Sequence, residues 1–167
     1  MIMIKIILVV AHIGFQPLEY SIPKELLTKA SLQIITASNQ VRLATNTLDK
    51  KASVDITLNQ ATPKQHDALF FIGGPRALDN IDNSTSYKAI KEWSTSGKPF
   101  GAICISPRIL AHAGILNGKK ETGWDDDHAL AGIFKKYDVE YIQNSVVVDG
   151  NMVTVTGPMA TQEQKKL

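Results

Sequence analysis

Residues 98–116 read KPFGAICISPRILAHAGIL, with the only cysteine of the 167-residue chain in the middle, at Cys104. Phe100 to Ile103 is a short apolar run of the kind that forms a buried strand. Ser106 and Pro107 are good opening residues for a helix, serine as the cap and proline in the first turn. Cys104 is therefore expected on a tight strand-to-helix turn, where α/β enzymes present a nucleophile. Unpaired N–H groups at a helix start favour thiolate over thiol, which a reactive cysteine needs. An isolated cysteine is just as often a small buried hydrophobe, so the turn alone leaves both readings open.

Outward from this turn, buried strands and helices alternate. Ile4 to Ala11 is a β-branched run without polar alternation, as in a strand covered on both faces. Pro17 to Ala30 has helical spacing, with Pro23 expected to bend or restart the helix. Leu32 to Ala37 is the next strand, and strand-like pieces lie near Val41 to Ala44 and Ser53 to Thr57. Asp67 to Ile72 is a further buried strand that stops at Gly73 and Gly74; Ser84 to Ser96 and His128 to Tyr137 read as helices. Val146–Val148 and Met152–Val155 flank an Asp-Gly pair, a strong hairpin signal. The order predicts one doubly wound α/β domain over residues 1–167, whose site lies at the carboxyl ends of its parallel strands. Those ends carry His12 to Glu19, Gly73-Gly74-Pro75 and Cys104-Ile105-Ser106. Glycines there let backbone N–H groups approach a bound atom and hold a developing oxyanion, although a Gly-Gly pair by itself also makes a simple tight turn.

Composition narrows the classes. A hydrophobic share of 44% is that of an ordinary globular domain, and a net charge of +2 with scattered lysines gives no reason to expect nucleic acid. One cysteine excludes an intrachain disulfide and fits a reducing compartment, with the cytoplasm as default. The apolar opening MIMIKIILVVAHIGF is too short for a membrane span and lacks a cleavage site, so no membrane association is expected.

These segments together resemble the ThiJ/PfpI family of the class-I glutamine amidotransferase-like superfamily. The resemblance rests on AICISPRILAHAGILNGKK around the cysteine, on DALFFIGGPRALDNI with its paired glycines, on GFQPLEY with an early glutamate, and on the closing VVVDGNMVTVTGP. It implies a flavodoxin-like, mainly parallel sheet with helices on both faces and a late hairpin. It implies Cys104 as nucleophile, with Glu19 sharing a proton with the sulfur. Two negative charges in a partly dry pocket repel, so one member of the pair must hold a proton; the expectation is a protonated Glu19 beside an ionised Cys104. Gly73, Gly74 and Ile105 are the expected backbone oxyanion donors. No metal or other cofactor is implied, and the run Asp125-Asp126-Asp127 reads as a solvated loop with helix-capping value.

Departures from the family pattern qualify the chemistry. Protease-like members have histidine directly after the cysteine, where this chain has Ile105; others supply a histidine from the loop after the next strand, where Trp124 stands. His12 and His128 are the candidate substitute bases, and Trp124 is the candidate apolar wall of the pocket. His66 and His112 receive no role, His112 being expected to face solvent. Relatives close one sheet face with a full terminal helix, whereas Thr161 to Leu167 is a polar stub; a homodimer is the expected cover. Two functions follow from the resemblance: a cysteine-dependent small-molecule enzyme (a hydrolase, or a glyoxalase or deglycase on reactive carbonyls), or a redox or stress protein whose cysteine is oxidised. Peptide hydrolysis is disfavoured because Ile105 carries no proton.

Overall fold

A computed structural model describes residues 2–158. The chain runs through β1 (Lys5–Val9), β2 (Ile13–Phe15), α1 (Pro17–Lys29), β3 (Gln33–Ser38), β4 (Arg42–Asn46), β5 (Lys51–Val54) and β6 (Ile56–Thr57). It continues through β7 (Ala68–Phe71), α2 (Ala77–Ile81), α3 (Ser84–Ser96), β8 (Phe100–Ile103) and α4 (Pro107–His112). The remaining elements among the described residues are β9 (Lys120–Glu121), α5 (Leu130–Lys136), β10 (Glu140–Tyr141), β11 (Val146–Asp149) and β12 (Met152–Val155). The main sheet has the order β11-β12-β8-β7-β1-β3-β6 and is parallel except at β11, which pairs antiparallel with β12. The first strand pairs with β3 on one side and β7 on the other, and Ile7, Leu8 and Val9 are all buried. Both faces of β1 are covered, which explains its unbroken apolar run.

Helices lie on both faces, as the alternation predicts. Trp93 of α3, Ile109 and Leu110 of α4 and Phe134 of α5 share one core with Ile7, Val9, Leu69 and Phe71. The opposite core joins Leu8, Val10, Ile72, Ile103 and Val155 to Phe15 and to Tyr20 of α1. A small sheet of order β2-β4-β5 packs on that second side. Beside α1, the face of β7, β8 and β12 opens an apolar cleft of about 260 Å³ lined by Pro23, Leu27, Phe70, Ile103, Val153 and Val155.

Several local expectations need correction. The first strand ends at Val9, and Ile13–Phe15 is a separate strand of the small sheet. The piece Ser53 to Thr57 is two strands in two sheets, β5 pairing with β4 and β6 with β3. A sheet change at Asp55 leaves no mark in a hydrophobic pattern that reads as one run. α1 continues through Pro23 as a single helix; Pro23 costs it only the N–H that Glu19 C=O otherwise receives. α5 starts at Leu130 because His128 is left-handed at φ 56° and Asp125 Oδ1 accepts the Leu130 N–H. Ser106 does not cap α4 through its side chain; its Oγ donates to Ile72 C=O at 2.8 Å. His112 does not face open solvent: Nδ1 sits 2.7 Å from Asp82 Oδ2 and the ring packs on Tyr137. The expected stub Thr161–Leu167 lies outside the described residues.

Candidate active site

Three strand ends converge. After β8, Cys104 adopts φ 63°, a left-handed conformation that costs a non-glycine residue of order 1–3 kcal/mol. The surrounding hydrogen bonds hold it there. Its N–H donates to Val155 C=O at 2.9 Å and its C=O accepts the Trp124 N–H at 2.7 Å. The Ser106–Ile72 bond ties the far side of this elbow to the residue preceding Gly73.

From the first helix comes Glu19. Gln16 caps α1 by accepting the Leu18 N–H at 2.7 Å, Pro17 fills the first turn, and Glu19 follows in that turn, only 1% exposed. Its Oε2 accepts the Gly73 N–H at 2.8 Å. A Cβ added to Gly73 would stand 2.6 Å from Cys104 Cβ and 2.7 Å from Glu19 Oε2, so both side chains close over the bare glycine. Gly74, at φ 135°, is needed for a second reason: a Cβ there would lie 2.5 Å from Gly14 C=O. The Gly-Gly turn is thus both a contact surface for the pair and the seam against the start of α1.

The pair is strongly coupled. Burial pushes the Glu19 carboxyl up to about 7, against the opposing pull of the Cys104 thiol and the Gly73 N–H. Burial also pushes the Cys104 thiol up, to about 12, reinforced by the charge and hydrogen bonding of Glu19; the N–H groups of Ile105 and Gly74 act the other way. This corrects the expectation that the helix start alone makes the thiol acidic. α4 is only six residues long and begins with proline, which has no N–H. The neighbouring carboxylate and the dry surroundings outweigh two backbone donors. Both directions describe one arrangement: near neutral pH the pair keeps at least one proton, and the sulfur becomes anionic most easily when Glu19 holds it.

The remaining candidates separate. Gly74 and Ile105 direct N–H groups to the sulfur, whereas the Gly73 N–H is taken by Glu19 and is not free for an oxyanion. His12 follows β1, with its N–H on Asn39 Oδ1 and its ring Nδ1 buried without a partner among the described residues. His128 is exposed on a left-handed turn. Among the described residues neither ring hydrogen bonds to Cys104 or Glu19. Trp124 is fastened to the elbow by its N–H, and its ring packs against the Arg108 guanidinium, 5.4 Å away. The aspartates diverge: Asp125 caps α5 and Asp127 pairs with Arg108.

Two buried charged residues escaped the sequence reading. Arg108, 5% exposed, sits four positions after the cysteine, and Glu121, fully buried in β9, has neither oxygen hydrogen-bonded among the described residues. A carboxyl so placed is pushed well above its ordinary range by burial and by Asp149. No sequence signal marks either one: Arg108 sits in the apolar run PRIL and Glu121 in the polar stretch GKKET, and neither pattern says which charged member turns inward.

The family profile described as DJ-1/PfpI matches residues 4–165. A deglycase of Pyrococcus furiosus is 34% identical over 148 residues, spanning 86% of this chain and 85% of that protein. A deglycase of Thermococcus kodakarensis is 32% identical over 156 residues, 91% of this chain and 90% of the other. Among solved structures, a ThiJ/PfpI domain protein from Brachyspira murdochii superposes with a TM-score of 0.87 at 23% identity, covering 95% of this chain and 90% of that one. DJ-1beta of Drosophila melanogaster gives 0.82 at 23% identity, with coverage of 97% and 86%.

Proposed function

This chain belongs to the DJ-1/PfpI family, and we propose that it is a cysteine-dependent enzyme acting on small reactive carbonyl compounds, of the deglycase or glyoxalase type. The carrying observation is the Cys104–Glu19 pair closed over Gly73. The deglycase names of the relatives agree with it.

The proton inventory favours an aldehyde or ketone over an amide. The Cys104 S–H proton passes to the Glu19 carboxylate as the sulfur forms a C–S bond. The carbonyl π pair moves onto oxygen, where the N–H groups of Gly74 and Ile105 are the nearest donors. Glu19, whose carboxyl titrates near 7, then returns the proton to that oxygen and leaves a neutral hemithioacetal. No group departs in this addition, so it needs no second acid. Turnover is completed when Glu19 moves the C1 proton of the hemithioacetal to C2, giving the thioester of a 2-hydroxy acid, which water hydrolyses to release the acid and restore the Cys104 thiol. An amide, by contrast, needs a proton on its leaving nitrogen, and the position after the cysteine is Ile105.

The test is methylglyoxal consumption by the wild type and by Cys104→Ser, followed by mass spectrometry of the protein. Catalytic loss of the aldehyde that disappears in Cys104→Ser is the expected result. A second reading, oxidation of Cys104 to a sulfinate, is favoured by the same carboxyl, which still carries a proton near pH 7 to donate to a sulfinate oxygen. Stoichiometric oxidation by peroxide, without carbonyl turnover, decides for that reading and against the enzyme.

A further inference from the structure

Among the described residues, the buried arginine of the elbow helix directs every side-chain hydrogen bond it makes at one loop. Arg108 Nη1 bonds Asp127 Oδ2 at 3.0 Å and Nη2 bonds Asp127 Oδ1 at 2.7 Å, a two-pronged pair. Nη2 also reaches the Trp124 carbonyl at 3.4 Å, and the guanidinium lies over the Trp124 ring. Arg108 pulls the Asp127 carboxyl below its ordinary range. Burying a guanidinium is costly unless it is paired and geometrically held, and here the holding partners are the loop itself. That loop also meets the reactive turn directly: the Trp124 N–H sits on Cys104 C=O at 2.7 Å, and a Cβ on Gly123 would come within 3.2 Å of the same oxygen. Trp124 is therefore tethered three ways, by its N–H to the cysteine and by its carbonyl and ring to the arginine.

We propose that Arg108 is a positioning residue, which fixes the Trp124 indole at the rim of the Cys104 site and so limits the size of compound that reaches the sulfur. Without Arg108 the indole keeps only its backbone tether, and the rim widens while the Cys104–Glu19 pair stays as it is. The consequence for substrates rests on the proposed carbonyl chemistry; the effect on access to the sulfur does not.

The chain has one cysteine, so alkylation reads Cys104 alone. Rates are measured with N-ethylmaleimide and with the bulkier N-pyrenylmaleimide, which share one reaction and differ in size. The bulky-to-small ratio should rise about tenfold in Arg108→Met and Asp127→Asn, what one charge-assisted hydrogen bond is worth. Arg108→Lys should recover part of the wild-type ratio, and the pH profile with the small reagent should stay in place. On a Trp124→Ala background the ratio is already raised and Arg108→Met should add nothing, because the arginine acts through the indole. An unchanged ratio in Asp127→Asn, an equal rise for both reagents with a displaced pH profile, or additivity with Trp124→Ala overturns the proposal. If Arg108→Met does not fold, Asp127→Asn decides, since the Asp127 side chain is 40% exposed and its loss opens no core. A raised ratio in a protein inert toward methylglyoxal leaves the clamp standing and removes the carbonyl reading; turnover with an unmoved ratio does the reverse.

Discussion

Replacing Glu19 by glutamine should make the protein more stable at alkaline pH, not less. Glutamine keeps an oxygen for the Gly73 N–H, 2.8 Å from Oε2 in the native chain, and removes a charge that lies 1% exposed. The sign follows from the raised carboxyl. Its ordinary value of 4.5 moves to about 7 on folding, so the folded state holds the proton more tightly. The stability linked to that proton is fully present below about 4.5 and is lost as pH rises through 7. At 1.36 kcal/mol per unit the loss is about 3 kcal/mol, a large fraction of an ordinary domain's stability. Urea denaturation of wild type and Glu19→Gln between pH 4 and 9 checks it. The stability difference should be small near pH 4 and grow in favour of the glutamine variant through neutrality. A difference that is flat with pH, or that turns against glutamine as pH rises, refutes the reading of Glu19 as a buried, proton-holding acid. The same variant should also lower the thiol titration from its value near 12, because the charge and hydrogen bonding of Glu19 help hold it there; an unmoved titration separates the two groups.

Other perturbations probe the rest of the site. Gly73→Ala puts a methyl 2.6 Å from Cys104 Cβ and should cost about 1–3 kcal/mol while displacing the sulfur; unchanged thiol reactivity would show that the pair does not close over this glycine. The wild type should cleave a fluorogenic peptide very slowly or not at all, and Ile105→His should raise that rate. Efficient wild-type cleavage that vanishes in Cys104→Ser would send the search for a base back to His12 or His128. Light scattering should report a mass near twice 18.3 kDa, since among the described residues the apolar cleft on β7, β8 and β12 leaves large side chains such as Phe70 and Leu27 to be covered; a stably folded monomer excludes it.

The central elements were legible because the physics acting on them is local. A β-branched run such as Ile6 to Val9 has one good use, as a strand buried on both faces. The rule that sites gather at strand ends then collected His12 to Glu19, Gly73-Gly74-Pro75 and Cys104-Ile105-Ser106, from which the family resemblance singled out Glu19. What was not legible depends on partners far along the chain. Ser106 has an ordinary capping side chain that instead serves Ile72, 34 residues away. Asp55 separates two strands that belong to different sheets. His112 finds Asp82, and Arg108 finds Asp127, only after α4 has packed. The thiol itself was misread for a related reason: a helix start is visible in a sequence, but the depth at which the sulfur is buried and the charge of its neighbour are not. Burial and that neighbouring charge set its proton affinity.

That correction narrows the chemistry. A thiol held near 12 beside a carboxyl held near 7 is a poor resting nucleophile and a good paired one. In the proposed addition the sulfur gains its negative charge by handing a proton to Glu19, and Glu19 accepts it most readily when ionised, above about 7. The same carboxyl must give the proton back to finish the addition, which it does most readily below that value. A single residue that alternates between these two roles suits an electrophile that adds and keeps all its atoms, such as an aldehyde. It serves poorly where the sulfur must stay charged while another group protonates a departing nitrogen. With Ile105 and Trp124 standing where the family resemblance places histidine, Glu19 is the one proton carrier bonded to the sulfur among the described residues, and the addition we propose is a reaction that one carrier completes.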